Sequence, residues 1–345
     1  MDIMSSFGVL TKGYNELMRN ALPRSCSDSQ GNIDINSLKI GFEDLSTNLK
    51  DRIDLTNLPT DTAKLKSKMR TALGLESGKE ERNRSALSGC STMIDMAGII
   101  PGGEDMAIKQ IRKSGELDRN WPYDNSNVKM MSLNCQRMEK TNVVDLARYI
   151  KNNQVDVMAL QEIPAGKAQQ LKKLLGPEWQ VKTQDTVYPD MNGKAILSRY
   201  KITGYQDRAF DKSLNAGEFE RRGVQYAQIE VGGRTVNVFN THLTNTGEKD
   251  NDQQNRINER KKQLKQLDEY IRKEEITHPG SSVIMGDLNQ RGGLGNITGG
   301  RTDFNDSSVD HIIISSDLAD SVNGHYYKDE NISDHDPVFA QLNLK

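Results

Sequence analysis

The sequence predicts an α/β domain over residues 127–345, preceded by a mostly helical region over residues 1–126. Three observations carry this. Short apolar runs alternate with helical periodicity only beyond residue 127. The polar, proline-containing stretch Arg119-Asn120-Trp121-Pro122-Tyr123-Asp124-Asn125-Ser126-Asn127 separates the two patterns and marks a domain boundary. The apolar runs after it end repeatedly in an acid, an amide or an imidazole.

In the first region Leu38, Phe42, Leu45, Leu49 and Ile53 recur at spacings that put them on one stripe of a helix. Thr60 or Asp61 is placed to cap a following helix with Leu65, Met69 and Leu73 on its apolar side. Residues 85–100 are small and apolar and stop at Pro101-Gly102-Gly103. With Asp95 inside it, this segment reads as a buried helix rather than a membrane-active hairpin.

In the second region residues 128–133 read as a strand, 142–151 as a helix, 155–160 as a strand and 167–175 as a helix. Beyond Gln180 the pattern becomes a strand meander. Apolar runs 224–231 and 234–239 flank Gly232-Gly233, a hairpin-turn pair, because glycine accepts the positive φ such turns require. Residues 253–273 form a long polar helix. Its basic residues are matched by acids, which implies a solvated, salt-bridged face rather than a nucleic-acid arm. Strands at 283–287, 312–314 and 338–342 complete the series.

The chain has 345 residues, enough for two domains with sizeable cores. Its 46 basic and 48 acidic side chains give a net charge of −2, so attraction to a polyanion must be local. Cys26, Cys90 and Cys135 are far apart and odd in number, which argues against a disulfide framework or a zinc cluster and favours a reducing compartment. The N-terminus shows no Sec-type signal pattern, and no segment reaches the roughly 18 apolar residues needed to span a bilayer. These features predict a soluble chain, cytoplasmic or exported without a cleaved signal in the manner of a translocated effector. The helical region would then serve packing, or binding to a partner or delivery machinery.

The strand ends carry the chemistry. Asn134 follows the run 128–133, Glu162 follows 155–160, His242 follows 236–239, Asp287 and Asn289 end the run from Val283, Asp310 precedes 312–314, and Asp334-His335 precede 338–342. Any one of these has a structural explanation, since Asp and Asn favour turns and a lone histidine is usually packed. Together they are the groups needed to neutralise a phosphoryl centre and move protons around it.

In order along residues 127–345, the pieces Leu133-Asn134, Leu160-Gln161-Glu162-Ile163, Gly193-Lys194-Ala195-Ile196-Leu197-Ser198-Arg199, Asn240-Thr241-His242-Leu243, Gly286-Asp287-Leu288-Asn289, Val309-Asp310 and Ser333-Asp334-His335-Asp336-Pro337-Val338 resemble the endonuclease/exonuclease/phosphatase superfamily, the deoxyribonuclease I-like group. The resemblance implies two packed mixed β-sheets flanked by helices, a four-layer sandwich. It implies Mg²⁺ or Mn²⁺ as cofactor, with Glu162 the principal carboxylate ligand and Asn134 beside it; hard cations favour such oxygen donors. It further implies that Asp287 and Asn289 address the attacking water and phosphoryl oxygens, and that His242 and His335 contact the phosphate. Asp310 would orient His335, and Asp334 would lie near the metal. Arg199 and Arg222 are candidate phosphate-binding residues, each equally explained by a surface salt bridge, and Gln136 is a candidate supporting group.

The superfamily hosts several substrates, so the fold alone does not choose one. Its phosphoinositide branch has an aromatic after Gly-Asp-x-Asn and a Cys-Asp-Arg motif at the later aspartate, where this chain has Gln290 and Val309-Asp310-His311. That departure favours a metal-dependent nuclease acting on DNA over a phosphoinositide or other phosphomonoester phosphatase, and a sphingomyelin phosphodiesterase is set aside because neither an export signal nor membrane-docking apolar loops are visible. A catalytically silent binding scaffold is the alternative of a different class.

Overall fold

Alternation within the strands dictates how the layers stack. In a strand, successive side chains face opposite sides of the sheet. Val236 and Val238, Val283 and Met285, and Ile312 and Ile314 all join one core, whereas Phe239, Ile284 and Ile313, their off-phase neighbours, join another. A sheet with two buried faces is required, and the computed structural model contains it. The structure describes residues 94, 103–113, 117, 120–184, 192–211, 222–246, 253–294, 297, 301–303, 308–318, 325–326 and 332–344. The expected helices around Leu38 to Ile53 and Leu65 to Leu73, and most of segment 85–100, lie outside these residues.

The chain divides into two compact units, residues 1–119 with 142–148, and residues 120–141 with 149–345. Of the first unit the structure describes Ile94, helix α1 (Gly103–Lys113) and the start of helix α2 (Val143–Asn152). Asn142 caps α2: its Oδ1 accepts hydrogen bonds from the backbone N–H groups of Val144 and Asp145, both at 3.0 Å.

The second unit starts inside the polar break, earlier than the expected boundary at residue 127. The reason is local. Asp124 accepts hydrogen bonds from Ser126 and Asn127, which hold its carboxyl down at about 2, and this Asx turn leads directly into β1 (Asn127–Asn134). Trp121 Nε1 donates to Asp156 at 2.7 Å. The break is therefore folded onto the sheet rather than acting as a linker.

The remaining strands are β2 (Val157–Pro164), β3 (Gln180–Thr183), β4 (Asn192–Ser198), β5 (Lys201–Ala209), β6 (Gly223–Val231), β7 (Arg234–His242), β8 (Ser281–Asp287), β9 (Arg301–Asp303), β10 (Asp310–Ser315), β11 (His325–Tyr326) and β12 (Val338–Asn343). One six-stranded sheet has the order β11-β12-β1-β2-β4-β3, the other β5-β6-β7-β8-β10-β9. Both are mixed: β1 and β2 are parallel, as are β7 and β8, and the other pairs are antiparallel. Helix α3 (Ala165–Leu175) packs on β2, β3 and β4, and helix α4 (Gln253–Thr277) covers the second sheet through Leu267, Tyr270 and Ile271. The four-layer sandwich is thus present. The predicted Gly232-Gly233 hairpin is also there, with φ of 57° and 82° and Val231 opposite Arg234.

Between the sheets runs a core of Val, Ile, Met and Ala side chains, and within it lies a buried amide chain. Gln161 Nε2 on β2 donates to Asn240 Oδ1 on β7 at 2.8 Å. Asn240 Nδ2 has the Leu160 and Ala195 carbonyls at 3.0 and 3.1 Å and Gln225 Oε1 at 2.9 Å. Gln225 Nε2 in turn donates to the Lys194 carbonyl at 3.1 Å and to Tyr205 Oη at 2.9 Å. Buried polar groups orphaned by removal of a partner cost about 1–3 kcal/mol. Replacing Asn240 by Ala orphans groups on both sheets, so the urea-unfolding midpoint is expected to fall, with a stability loss near the upper end of that range, about 3 kcal/mol. An unchanged midpoint would show that the amide chain does not join the sheets energetically.

Candidate active site

Both parallel strand pairs end on the same side, and there the two sheets deliver their polar termini to one place. β1 ends at Asn134 and β2 carries Glu162, while β7 ends at His242 and β8 at Asp287 opposite it. β10 is antiparallel to β8 and begins there, with Asp310 opposite Asp287. Ser333 ties in the approach to β12: its Oγ donates to the Asn134 carbonyl at 2.6 Å and accepts the His335 backbone N–H at 3.2 Å.

Glu162 departs from the sequence reading in an informative way. β2 does not stop before it but continues to Pro164, with a register shift between Gln161 and Ile163 and Glu162 at φ 50°. It is a bulge residue, and a bulge re-aims one side chain without ending the strand. Asn289 has φ 49°, and Gln136, Arg137 and Met138 after Asn134 have φ of 44°, 55° and 63°. Apart from Gln154, every described non-glycine residue with positive φ lies in these three places. Strained backbone concentrates where side chains must be held at a fixed angle. Gly286, with φ 153°, lets β8 approach β7 so closely that a Cβ there would run into the Thr241 carbonyl.

The side chains converge on Asn134 and Asp287. Asn134 Nδ2 lies 3.2 Å from Glu162 Oε1 and 3.1 Å from Asp287 Oδ2, bridging a carboxylate of each sheet. Its Oδ1 accepts the Gln136 backbone N–H at 3.0 Å, so Gln136 supports the site through its main chain. His242 Nε2 is 3.4 Å from Asp287 Oδ2 and 3.9 Å from Glu162 Oε1. Asn289 donates its backbone N–H to Asp287 Oδ1 at 2.9 Å and its Nδ2 to the Leu243 carbonyl at 2.9 Å. His335 Nδ1 is hydrogen-bonded to Asp310 Oδ2 at 2.7 Å, and its Nε2 faces Asp287 Oδ2 at 3.9 Å. Asp334 is exposed and acts on His335 through its charge.

Burial disfavours the His335 imidazolium, but the hydrogen bond to Asp310 and the charges of Asp310, Asp287 and Asp334 outweigh it and raise its pKa to about 9. Burial, joined by the charge of Asp287, lifts Asp310 to about 6 against the opposing pull of His335. At neutral pH the pair is an imidazolium on a carboxylate. The Nδ1 edge of His335 is thus held by Asp310, and its Nε2 edge is turned toward Asp287 Oδ2.

The donor set fits a divalent cation at Glu162. Its carboxylate is the more open one, 23 % exposed against 2 % for Asp287, and a hard cation takes such oxygen donors; Asn134 would join it through Oδ1, while the Arg137 guanidinium, 3.8 Å from Oε2, balances the same charge in its absence. Asp287, Asp310 and His335 also bring ligand atoms within 4.8 Å of one another. Within that group His335 Nδ1 and Asp310 Oδ2 are bonded to each other, which leaves His335 Nε2 and Asp287 Oδ2 facing one another at 3.9 Å. A cation at Glu162 would polarise a phosphoryl oxygen and offset its charge.

Of the two arginines expected to bind phosphate, Arg199 does not reach this site. β4 runs antiparallel to β2, with Lys194 opposite Gln161 but Ser198 opposite Val157, so Arg199 lies at the far end of the sheet. There it donates to Asp156 Oδ1 at 2.9 Å and to the Trp121 carbonyl at 2.8 Å, sandwiched between the Trp121 and Tyr123 rings at 4.2 and 4.3 Å. It anchors the segment before β1. Arg222 precedes Gly223, which pairs with His242, so its backbone lies near this end of the sheet, where its carbonyl accepts the Phe210 N–H. Sequence reasoning missed Arg137, whose only signal was its nearness to Asn134.

A family model described as "Endonuclease/Exonuclease/phosphatase family" matches residues 131–335. The chain belongs to that family. Among curated relatives, a sphingomyelinase C of Bacillus cereus is 25 % identical over 185 residues, covering 47 % of this chain and 55 % of the relative. A phospholipase C of Staphylococcus aureus is 25 % identical over 184 residues, with the same coverage of each chain. The chain thus spans about half the length of the curated relatives it matches. Among solved structures, truncated Caenorhabditis elegans TDP2 shares the fold at TM-score 0.50 and 20 % identity, covering 63 % of this chain and 98 % of that one. A Beutenbergia cavernae endonuclease/exonuclease/phosphatase does so at TM-score 0.50 and 18 % identity, covering 64 % and 72 %.

The histidine–aspartate pair sets a pH signature. A raised histidine pKa stabilises the fold fully below its unfolded value near 6.5, and that contribution is lost as pH rises through about 9. Activity that needs the imidazolium should fall through the same window. In Asp310→Asn the alkaline limb of the pH–rate profile is expected to move toward neutral pH, with a lower maximal rate. A limb that stays in place would show that His335 is not the group titrating.

Proposed function

We propose that this chain is a divalent-metal-dependent phosphodiester hydrolase that cuts DNA. The observation that supports the reaction is the convergence, across two sheets, of Glu162 for a metal, Asp287 for an attacking water and the Asp310–His335 pair for charge and proton supply. In-line hydrolysis of a phosphodiester asks for these three functions. His242, 3.4 Å from Asp287, adds a second imidazole toward the phosphoryl oxygens. Glu162, and beside it Asn134, would hold Mg²⁺ or Mn²⁺.

For the polymer, the supporting observation is Arg137 at the rim. Arg137 keeps 60 % of its side chain exposed while its Nε lies 3.8 Å from Glu162. Cations flanking a scissile phosphate suit a chain of further phosphates, and a local field is sufficient where net charge is −2.

A second reading has its own support. The curated relatives are named sphingomyelinase C and phospholipase C, which favours the phosphodiester of a choline-type lipid head group. The two share the chemistry and differ in what lies beyond the phosphate.

The full chain is expected to nick supercoiled plasmid in the presence of Mg²⁺ or Mn²⁺ and to lose this with EDTA. Asp287→Asn and His335→Ala should each reduce the rate by at least about 100-fold, as removal of general acid–base groups does. Release of phosphocholine from sphingomyelin vesicles without any nicking would transfer the assignment to the lipid reading. Hydrolysis of an inositol phosphate alone would transfer it to the phosphatase branch. No divalent-ion binding by calorimetry, with or without substrate, would leave a binding scaffold.

A further inference from the structure

Helix α4 carries the expected solvated, salt-bridged face, with Lys265 paired to Glu269 and Arg272 to Asp268. Its C-terminal half buries Leu267, Tyr270 and Ile271 against the second sheet, and its N-terminal half has a polar inner side, with Glu259 and Gln263 buried and Arg256 and Arg260 half-buried. Arg256, Arg260 and Gln263 recur at spacings of four and three, which places them one above another on a helix. Each reaches a loop of the active site. Arg256 Nε donates to the Thr246 carbonyl at 2.9 Å. Gln263 makes a closed pair with Thr244, accepting its backbone N–H at 2.9 Å and donating to its Oγ1 at 2.8 Å. The Arg260 guanidinium donates to the Asn289 carbonyl.

The two loops are also tied to each other. Leu243 N–H donates to the Asp287 carbonyl at 2.9 Å, and Asn289 Nδ2 donates to the Leu243 carbonyl at 2.9 Å. Asn289 holds a positive φ of 49° while its N–H donates to Asp287 Oδ1. A non-glycine residue keeps that conformation only when its surroundings over-determine it. Arg260 holds the carbonyl side of Asn289, and Asp287 and Leu243 hold the rest.

We propose that Arg260 is a positioning residue for hydrolysis: with Arg256 and Gln263 it forms a helix-borne clasp that fixes the Asn289 backbone, and thereby the Asp287 carboxylate, against the strand end carrying His242. This rests on the reading that Asp287 and Asn289 act on a phosphodiester. The arginine acts on the acceptor from behind, through the Asn289 main chain and through its charge on Asp287, so its loss misplaces the acceptor without removing a substrate contact. Groups that orient an active-site ligand from behind typically cost about 10- to 100-fold in activity when removed.

The test uses the full chain with Mg²⁺ and bis(4-nitrophenyl) phosphate, comparing wild type, Arg260→Ala, Arg260→Lys and Asp287→Asn. Arg260→Ala is expected to lose about 10- to 100-fold in kcat with KM within about 2-fold, and Arg260→Lys to recover part of the loss. Hydrogen exchange should show faster exchange at the Leu288 and Asn289 amides in Arg260→Ala, with His335-dependent pH behaviour unchanged. An increase in KM at constant kcat would overturn the proposal by making Arg260 a substrate contact. Wild-type kcat together with wild-type exchange would overturn it outright. If Asp287→Asn keeps full activity, or wild type does not cleave the diester, the hydrolytic reading fails separately. The exchange comparison then still decides whether Arg260 holds the loop.

Discussion

The hydrogen bond from Gln161 to Asn240, 2.8 Å long and wholly buried, is the constraint on which the rest of the structure depends. Gln161 sits on β2 beside Glu162, and Asn240 on β7 just before His242. Because apolar packing between sheets is non-directional, it permits one sheet to slide over the other. An amide chain does not, since each misaligned donor or acceptor would be stranded away from water. The polar interior therefore sets the register between sheets that a core of Val and Ile leaves open.

That register matters because the site belongs to neither sheet alone. Asn134 and Glu162 come from one, and His242, Asp287 and Asp310 from the other. Asn134 completes the join at the surface as the Gln161–Asn240 pair does beneath it, its amide shared between Glu162 and Asp287. Burial then differentiates the carboxylates by their partners: Asp310 is bound to an imidazole, Asp287 is held by backbone and amide N–H groups, and Glu162 faces outward on its bulge. Three acids of one ionic type thus acquire three environments from the elements that carry them.

Much of this was legible in the sequence, for physical reasons. Period-2 alternation in β7, β8 and β10 and the Gly232-Gly233 turn reflect local constraints, so the strands and hairpin could be read directly. The polar strand ends were legible because nothing about a buried strand favours such groups. What depends on register was not. Arg199 shares a strand with Lys194 but lies at the opposite end of the sheet, and only the pairing of β4 with β2 reveals it. The bulge at Glu162 leaves no mark on composition. The solvated face of helix α4 was legible, but its contacts near the site were not; periodicity detects an apolar stripe and is blind to a polar one made of Arg260 and Gln263.

The proposed site divides its labour, with the cation held by Glu162 and the Asp310–His335 pair left free to manage a proton. The most direct measurement is the position of Mn²⁺ by anomalous diffraction from crystals of the full chain. A single peak within bonding distance of a Glu162 carboxylate oxygen, with His335 Nδ1 still on Asp310, is the predicted result. A peak enclosed by Asp287, Asp310 and His335, with their hydrogen bond broken, would contradict the account.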